Sequence, residues 1–405
     1  MSLFAALRLP REVLFGTGQR HALGKVASGL GKRALVCTDA RLAGETVFTD
    51  MVALLRSEGI DVLVDASVEP DVPRDSCNRV AAGARAFGPD LVIGIGGGSC
   101  LDLAKTVALL LRHGGSPENY YGEGKVPGPI LPVIAVPTTA GTGSEVTPVA
   151  VLSDPDRAMK IGISSAHLIP AAAICDPELT VTCPAGLTAI AGADALTHAI
   201  EAFTATRRQP TPLLAQERVF LGKSALTDHF ALLAIELLGR SLERAWRTGS
   251  DLDARADVMM GALCAGMAFG TAGTAAAHAI QYPIGTLTHT AHGLGVACML
   301  PYVMTYNRSH ALPEMAAIGR ALGATGNDET ILADAAIERV RALFERIGIP
   351  PTLGALGLEE AKLDWTCEQA MTIARLINNN PRPIDAAAMK RLVSAAYTGM
   401  LNTAS

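Results

Sequence analysis

Charge of either sign is scarce in this chain of 405 residues. Charged side chains make up 18% of it, against about 25% in average proteins, while hydrophobic residues make up 49%. Intrinsic disorder requires the opposite balance, so the composition excludes it as the main state. Lys and Arg number 34 against 39 Asp and Glu, which gives a formal net charge of −5. Because there is no basic surplus, we expect neither nucleic acid nor an anionic membrane as a partner.

The sequence also lacks paired cysteines. Eight cysteines are scattered along it, and no two form a Cys-x-x-Cys pair. A chain of this size needs no disulfides for stability, so we interpret them as reduced, mostly buried thiols of a cytoplasmic protein. The apolar run within residues 1–13 is too short for a signal peptide, and we expect none.

One uncharged stretch bears on the prediction that the protein does not enter a membrane. Residues 258–277 are twenty consecutive uncharged residues, which is long enough to span a bilayer. They are rich in Gly, Ala and Thr but poor in Leu and Ile, with Asp257 before them and His278 at their end. We therefore predict a buried helix lined with small residues.

Length and pattern predict two domains. In the first half, β-rich runs such as 34–39 and 90–95 alternate with helical patterns such as 99–112, an order typical of βαβ units and a parallel sheet. From about Thr188, long apolar-periodic stretches follow and strand signals are nearly absent. We predict an α/β domain with a parallel sheet over 1–187 and an all-α domain over 188–405.

A glycine-rich turn connects a predicted strand to a predicted helix. Residues 94–99 read Gly-Ile-Gly-Gly-Gly-Ser, which is neither a GxGxxG fingerprint nor a Walker A loop. Ser99 and Asp102 have the spacing of a capping box, which predicts that the helix starts there. An ordinary tight βα turn is one interpretation, but three consecutive glycines after a buried strand favour a pyrophosphate site.

A second polar loop, 137–145, follows the predicted strand 131–136. Four hydroxyl residues and two glycines in nine positions favour a ligand at the C-terminal edge of the sheet over an ordinary capped loop. Asp39 ends an earlier strand. A carboxylate there accepts hydrogen bonds from ribose hydroxyls and repels a 2′-phosphate, so Asp39 predicts NAD rather than NADP.

One carboxylate and three histidines are candidate metal ligands. Asp194 and His198 lie four residues apart and so share one helix face, while His278 and His292 occupy apolar surroundings. Taken singly, each histidine is more often a packed core residue than a ligand. Spacing alone leaves both interpretations open, and it does not separate zinc from iron(II).

Taken together, these residues resemble the iron-containing (type III) alcohol dehydrogenases over the whole chain. The matching motifs occur in the family's order and spacing: Phe15-Gly16-x-Gly18, Asp39, GGGSxxDxAK at 96–105, PTTAGTGSE at 137–145, Lys160, Asp176-Pro177-Glu178-Leu179, DALTHAIEAF at 194–203, His278 and Ala291-His292-Gly293.

The resemblance implies an NAD-binding N-terminal domain, a helical domain that binds metal and substrate, and an active site in the cleft between them. It implies iron(II), with Zn²⁺ as the alternative, held by Asp194, His198, His278 and His292. It also implies a small-molecule substrate and a homodimer or higher homo-oligomer. The cofactor-binding candidates at matching positions are Asp39, Asp71, Gly97, Gly98, Ser99, Asp102, Thr138, Thr139, Thr142, Lys160 and Leu179.

Two positions depart from the family pattern. The family usually has Pro-Asn-Pro near residue 71, whereas this chain has Asp71 in place of the Asn. The family also often carries a histidine four residues after the third ligand, and here Tyr282 occupies that position. Hydroxyacid–oxoacid transhydrogenases of the family are similar to this chain in their Tyr-Pro pair and in a longer connection at 205–225.

Tyr282 and His289 are the catalytic candidates. If the helix that carries His278 continues, Tyr282 lies one turn further on the same face. We hypothesise that its phenol orients the substrate oxygen and that protons leave through His289. The alternatives are a Tyr282 ring that contributes only shape and a His289 that is a solvated loop residue.

Several functions are compatible with the sequence. The first is an NAD-dependent alcohol dehydrogenase or aldehyde reductase with iron, and the second is a transhydrogenase that keeps its cofactor bound. A zinc polyol dehydrogenase is the third. A non-catalytic nucleotide-binding protein is the fourth, and the complete ligand set argues against it. No arginine clamp for a substrate carboxylate is evident from the spacing, so the substrate remains open.

Overall fold

The computed structural model describes residues 4–157 and 159–401. Within them, six parallel strands form one sheet in the order β1-β9-β6-β4-β2-β3, and three strands form a small sheet in the order β5-β8-β7. The strands are β1 (Glu12–Phe15), β2 (Arg33–Cys37), β3 (Asp61–Asp65), β4 (Leu91–Gly96), β5 (Gly122–Glu123), β6 (Val133–Pro137), β7 (Val149–Leu152), β8 (Ile161–Ser164) and β9 (Ala172–Cys175).

Helices cover both faces of the large sheet and make up the C-terminal half. The helices are α1 (Leu23–Ser28), α2 (Ala40–Ala43), α3 (Thr46–Ser57), α4 (Arg74–Ala84), α5 (Gly98–His113), α6 (Ala185–Thr204), α7 (Leu214–Glu217), α8 (Ala225–Arg247), α9 (Leu252–Ala272), α10 (Ala276–Thr288), α11 (His292–Asn307), α12 (Leu312–Ala321), α13 (Glu329–Arg346), α14 (Leu363–Thr372), α15 (Ala374–Ile377) and α16 (Ala386–Thr398).

The large sheet is apolar on both faces because helices cover both. Along β2, Val36 packs with α1 and α3 on one side, whereas Leu35 packs with α4 and α5 on the other. All six residues of β4 are buried, as expected for a central parallel strand. The predicted α/β domain with a parallel sheet is confirmed.

The second predicted fold class, an all-α C-terminal domain, is also confirmed. The last strand ends at Cys175 and α6 begins at Ala185, so the boundary predicted after residue 187 lies in the first turn of α6. Helices α6, α8 and α9 pack together in the largest core cluster. Helix α9 is buried on nearly every side, which explains its apolar and small side chains.

A glycine contact joins the two domains beside the polar loop 137–145. Gly143 has a φ of +60°, and a Cβ placed on it would lie 2.6 Å from the Cα of Gly266 in α9. No side chain larger than hydrogen fits there, so the loop approaches the helical domain at backbone distance. This contact places the predicted cofactor loop against the helical half of the molecule.

The uncharged stretch 258–277 is not a single helix, and in that respect our prediction was wrong. Gly273 ends α9 with a φ of +82°, and α10 starts at Ala276 in a direction that differs by 101°. Eighteen of the twenty residues are nevertheless buried, as predicted. Among the described residues no single helix could cross a membrane, although α9 and α10 together satisfy the criteria of length and composition as a bent pair.

The connection 205–225 lies between α6 and α8 and contains α7. Its ends meet in a single antiparallel bridge between Arg207 and Gly222. The Arg8 guanidinium donates to the carbonyl of Val219 at 3.3 Å, and a Glu123 carboxylate oxygen accepts from the Val219 N–H at 2.6 Å. The connection is therefore attached to the N-terminal domain, and it places Phe220 in a buried position.

Candidate metal and dinucleotide site

Three helices bring the four predicted metal ligands together. Asp194 and His198 lie one turn apart on α6, His278 is in the first turn of α10, and His292 is the first residue of α11. One ligand atom each from Asp194, His278 and His292 lies within 4.8 Å of the other two. His198 Nε2 is 3.8 Å from Asp194 Oδ1, and its ring stacks on that of His278 with centroids 4.6 Å apart. The four side chains thus surround one small volume.

Buried polar atoms without partners face this volume. Asp194 Oδ1 and His278 Nε2 lie 3.7 Å apart, and neither has a hydrogen-bond partner within the described residues. The other ring nitrogen of His278, Nδ1, is 2.6 Å from Glu201 Oε2. We assign the proton to Nδ1, which leaves a lone pair on Nε2. A cation between two buried acceptors that face each other would satisfy both, so the donor set fits a divalent metal.

Burial governs the charge states of these groups. It raises the pKa of Asp194 to about 7 and lowers the pKa values of His198 and His292 well below the usual value. Neutral imidazole is the form that binds a metal, so burial favours the metal-binding form of His198 and His292. Burial also acts to lower the pKa of His278, but the Glu201 carboxylate outweighs it and that pKa is raised. A bound cation would return Asp194 to its ionised form, because an adjacent positive charge favours carboxylate.

Glu201 belongs to the site although the sequence analysis did not select it. It is buried on α6, three residues after His198. Its carboxylate accepts from the backbone N–H groups of Ala275 and Ala277 at 2.8 and 2.7 Å, besides its contact with His278. One side chain thereby satisfies the start of α10 and orients the His278 ring. Glu201 lies seven residues after Asp194, which places both side chains on the same face of α6. That spacing was the sequence signal by which Glu201 could have been found.

The glycine turn and the polar loop contact each other at the edge of the sheet. A Cβ on Gly97 would lie 3.5 Å from Thr139 Oγ1, and one on Gly98 would lie 2.6 Å from Thr142 Cγ2. The Thr138 N–H donates to the Gly96 carbonyl at 2.9 Å. The two segments therefore lie side by side at the N-terminus of α5. Backbone N–H groups and the helix dipole favour binding of a phosphate there.

The capping box predicted for Ser99 and Asp102 does not form. Helix α5 begins one residue earlier, at Gly98, and its first turn has no side-chain cap. Asp102 instead accepts from the Ser144 hydroxyl at 2.5 Å and from the Val151 N–H at 2.9 Å. These tertiary hydrogen bonds replace the local cap because a buried carboxylate without partners is costly. The Asp102 side chain therefore faces the polar loop rather than the start of the helix.

The remaining cofactor candidates occupy different surroundings. Asp39 caps α2 by accepting from the Leu42 N–H with one oxygen at 2.8 Å, and its other oxygen lies beside the glycine turn, 4.0 Å from Cys100 Sγ. Asp71, at a φ of +64°, forms an ion pair with Lys160, so two predicted cofactor residues contact each other. Leu179 is buried and packs with the sheet core.

The two catalytic candidates lie at different depths. Tyr282 continues α10 one turn after His278, and its ring is stacked with that of His292 at a centroid distance of 5.9 Å. Burial raises the pKa of Tyr282 above its usual value, which keeps the phenol protonated. His289 is exposed and ends α10 with a φ of +53°. The structure thus brings Tyr282, but not His289, into contact with the ligand cluster.

The fold and site together define a metal-dependent oxidoreductase that binds a dinucleotide. The sequence model described as "Iron-containing alcohol dehydrogenase" matches residues 10–177, and that described as "Fe-containing alcohol dehydrogenase family, C-terminal" matches residues 188–397. The chain belongs to the iron-containing alcohol dehydrogenase family, as the motifs had indicated. It is an oxidoreductase of alcohols and aldehydes from an iron-containing family, and NAD-dependent enzymes such as the methanol dehydrogenase of Bacillus methanolicus are among its relatives.

Individual relatives cover nearly the whole chain. Long-chain-alcohol dehydrogenase 1 of Geobacillus thermodenitrificans is 38% identical over 375 residues, which is 91% of either chain. A crystal structure of 1,3-propanediol oxidoreductase superposes with a TM-score of 0.90 at 32% identity, covering 97% of this chain and 100% of the other. Sulfoacetaldehyde reductase from Bifidobacterium kashiwanohense, solved with NAD+, has a TM-score of 0.83 at 27% identity and covers 98% and 99%.

Proposed function

We propose that this enzyme interconverts a small alcohol and its aldehyde, with iron held by Asp194, His198, His278 and His292 and with NAD on the glycine turn and the loop 137–145. The observation that carries the proposal is the pair of unpartnered acceptors, Asp194 Oδ1 and His278 Nε2, 3.7 Å apart in a buried site. When bound, iron supplies a Lewis acid for the substrate oxygen and the nicotinamide supplies or accepts the hydride.

The chain's own residues would then position the reactants and exclude water. Asp39 accepts hydrogen bonds from the ribose hydroxyls, and the threonines of the polar loop surround the phosphates. The Phe269 ring stacks on His198 at a centroid distance of 4.1 Å and forms an apolar wall beside the metal ligands. Tyr282 donates its phenolic hydrogen to the substrate oxygen, and His289 connects the site with solvent.

A transhydrogenase that never releases NAD is the second candidate, and Tyr282 in place of the family's histidine favours it. Anaerobically iron-loaded protein should be supplied with NAD and a panel of alcohols, and NADH should be followed spectrophotometrically. Sustained formation of free NADH supports the proposal. Turnover only when an alcohol and a second carbonyl compound are both present would instead identify the transhydrogenase. A zinc-loaded sample with the higher activity would favour the polyol dehydrogenase alternative.

Replacing Tyr282 with Phe deletes only the hydroxyl and keeps the ring against His292. We expect turnover to fall by roughly tenfold or more, the usual range for a lost acid–base or positioning group, with the metal content unchanged. Tyr397→Phe makes the same chemical change on α16, away from the ligands, and should leave turnover unaltered. Near-normal turnover in Tyr282→Phe would mean that the ring contributes shape alone.

Asp39 should make the enzyme prefer NAD over NADP. A carboxylate about 4 Å from a 2′-phosphate costs roughly 4 kcal/mol per charge pair at an effective dielectric constant of ~20, and only about 1.4 kcal/mol is needed for tenfold selectivity. Asp39→Asn removes the charge but still caps α2, so the ratio of kcat/KM for NAD to that for NADP should fall by about tenfold or more. Asp39→Gly removes the cap as well and should show the same change. Equal efficiency with both cofactors in the unaltered enzyme would contradict this role.

Location and assembly are part of the same proposal. All eight cysteines are free and seven of them are buried, which suits the reducing conditions of the cytoplasm. We further propose a homodimer or higher homo-oligomer, as the family resemblance implies. Light scattering during size-exclusion chromatography would give the mass directly, and a mass of 42.0 kDa, that of one chain, would contradict it.

A further inference from the structure

Arg375 on α15 has an aromatic partner but no acceptor. Its guanidinium carbon lies 4.3 Å from the centroid of the Phe220 ring. Within residues 4–157 and 159–401 it makes no hydrogen bond and no ion pair. Two other arginines that stack on rings do have partners: Arg382 donates to the Tyr306 carbonyl at 2.9 Å, and Arg157 lies 3.8 Å from an Asp154 oxygen. The Arg375 guanidinium therefore has its hydrogen-bond donors free.

The local packing places Arg375 next to the start of α10. Helix α15 packs against α10. Two residues after α15, the Asn379 amide donates to the carbonyls of Ala272 and Thr274 at 3.0 Å each, in the break that precedes His278. A Cβ on Gly273, in the same break, would lie 3.5 Å from the Phe220 ring. Arg375 and Phe220 thus flank the backbone turn that leads to a metal ligand.

Electrostatics connects the same guanidinium with the site. Burial raises the pKa of Tyr282, and the charge of Arg375 opposes that increase. Burial likewise lowers the pKa of Arg375 itself, but a guanidinium remains charged at neutral pH. The negative charge of Glu123 opposes the decrease in the pKa of Arg375. However, no Glu123 oxygen lies within ion-pair distance of Arg375, and one of them already accepts a hydrogen bond from the Val219 N–H. A half-buried positive charge therefore lies near Tyr282 without a counter-ion from the described residues.

We propose that Arg375 is a specificity-determining residue that binds a carboxylate on the substrate, so that the preferred substrates are short aldehydes and alcohols bearing that group. The inference rests on the proposed function and deepens it. A guanidinium presents N–H groups in a fork that matches a carboxylate with two parallel hydrogen bonds. Stacking on Phe220 orients that fork and leaves its edge open. A bound carboxylate supplies the counter-ion that the protein does not.

The test compares two aldehydes of equal chain length, succinic semialdehyde and butanal, reduced with NADH. We expect kcat/KM of the unaltered enzyme to be higher for the carboxylate. In Arg375→Met the ratio of kcat/KM for succinic semialdehyde to that for butanal should fall at least tenfold. Arg375→Lys keeps the charge without the fork and should give an intermediate ratio. Arg382→Met is the matched control, because it removes another ring-stacked arginine, and it should retain the ratio.

A binding measurement keeps the test independent of turnover. Saturation-transfer NMR on metal-free protein should detect 4-hydroxybutyrate more strongly than 1-butanol, and Arg375→Met should abolish the difference. An unchanged ratio and an unchanged NMR signal in Arg375→Met would overturn the proposal. So would an equal loss of activity with both aldehydes, which would mean that Arg375 only supports the packing around the start of α10. Failure of the proposed function is distinguishable, because then the unaltered enzyme would reduce neither aldehyde.

Discussion

His278→Ala should yield a folded protein that no longer retains iron. The alanine removes Nε2 and also the Nδ1 contact with Glu201, so the cluster loses a ligand and its orienting hydrogen bond together. Changing groups that only support metal ligands costs about 10–100-fold in affinity, so loss of a ligand should cost more than about 100-fold. Activity should fall with the metal. Elemental analysis after anaerobic loading and dialysis against a chelator measures the retained iron.

Two comparisons make this result specific. His310→Ala removes an exposed histidine of the same domain and should keep a full complement of metal. Glu201→Gln keeps all four ligands, but an amide has one acceptor oxygen where the carboxylate has two, so His278 or a backbone N–H loses its partner. We expect affinity to weaken by about 10–100-fold, and the visible spectrum of cobalt(II)-substituted protein to change. Full iron retention in His278→Ala would remove His278 from the ligand set.

The four ligands were accessible to sequence reasoning because helical periodicity places Asp194 and His198 on one face. Glu201 could not be identified in the same way, because its role depends on a hydrogen bond from the N–H of Ala275, which lies 74 residues later in the sequence. The break after α9 did carry a local signal, since Gly273 follows a long apolar helix and adopts a positive φ, which glycine tolerates without steric cost. We overlooked it because composition dominated our interpretation of residues 258–277.

Arg375 shows why substrate recognition could not be predicted. In the sequence it is one basic residue among 34, in a segment whose neighbours look like an ordinary amphipathic helix. Its aromatic partner, Phe220, lies 155 residues earlier, in a connection without strong secondary-structure signals.

Asp102 illustrates the converse error. Its spacing from Ser99 fitted a local cap, but Ser144 and Val151 compete for the carboxylate through contacts that depend on the folded loop.

A buried lysine holds the polar loop against α5. Lys105 is fully buried, and its ammonium group donates to Ser144 Oγ at 2.8 Å and to the carbonyls of Thr147 and Val149 at 3.0 and 2.8 Å. The Ser144 hydroxyl in turn donates to Asp102. Burial lowers the pKa of Lys105 to about 8, while Asp102 and Glu145 oppose that decrease. The predicted cofactor loop therefore depends on one buried cation, whose contacts with the loop do not follow from its position in the motif at 96–105.

Lys105→Met should lower the free energy of unfolding by about 3 kcal/mol at pH 7, because two carbonyls lose their donor and Asp102 loses its compensating charge. The effect should grow with pH. Between about 8 and 10.5 the unfolded chain binds the lysine proton more strongly than the folded one, so this group stabilises the unaltered protein increasingly as pH rises. The variant lacks that contribution.

Urea denaturation of both proteins at pH 7 and pH 9.5 measures the difference in the free energy of unfolding. Lys390→Met, at an exposed ion pair with Asp364, is the control. A difference that stays constant or shrinks at the higher pH would contradict the lowered pKa of Lys105 in the folded protein.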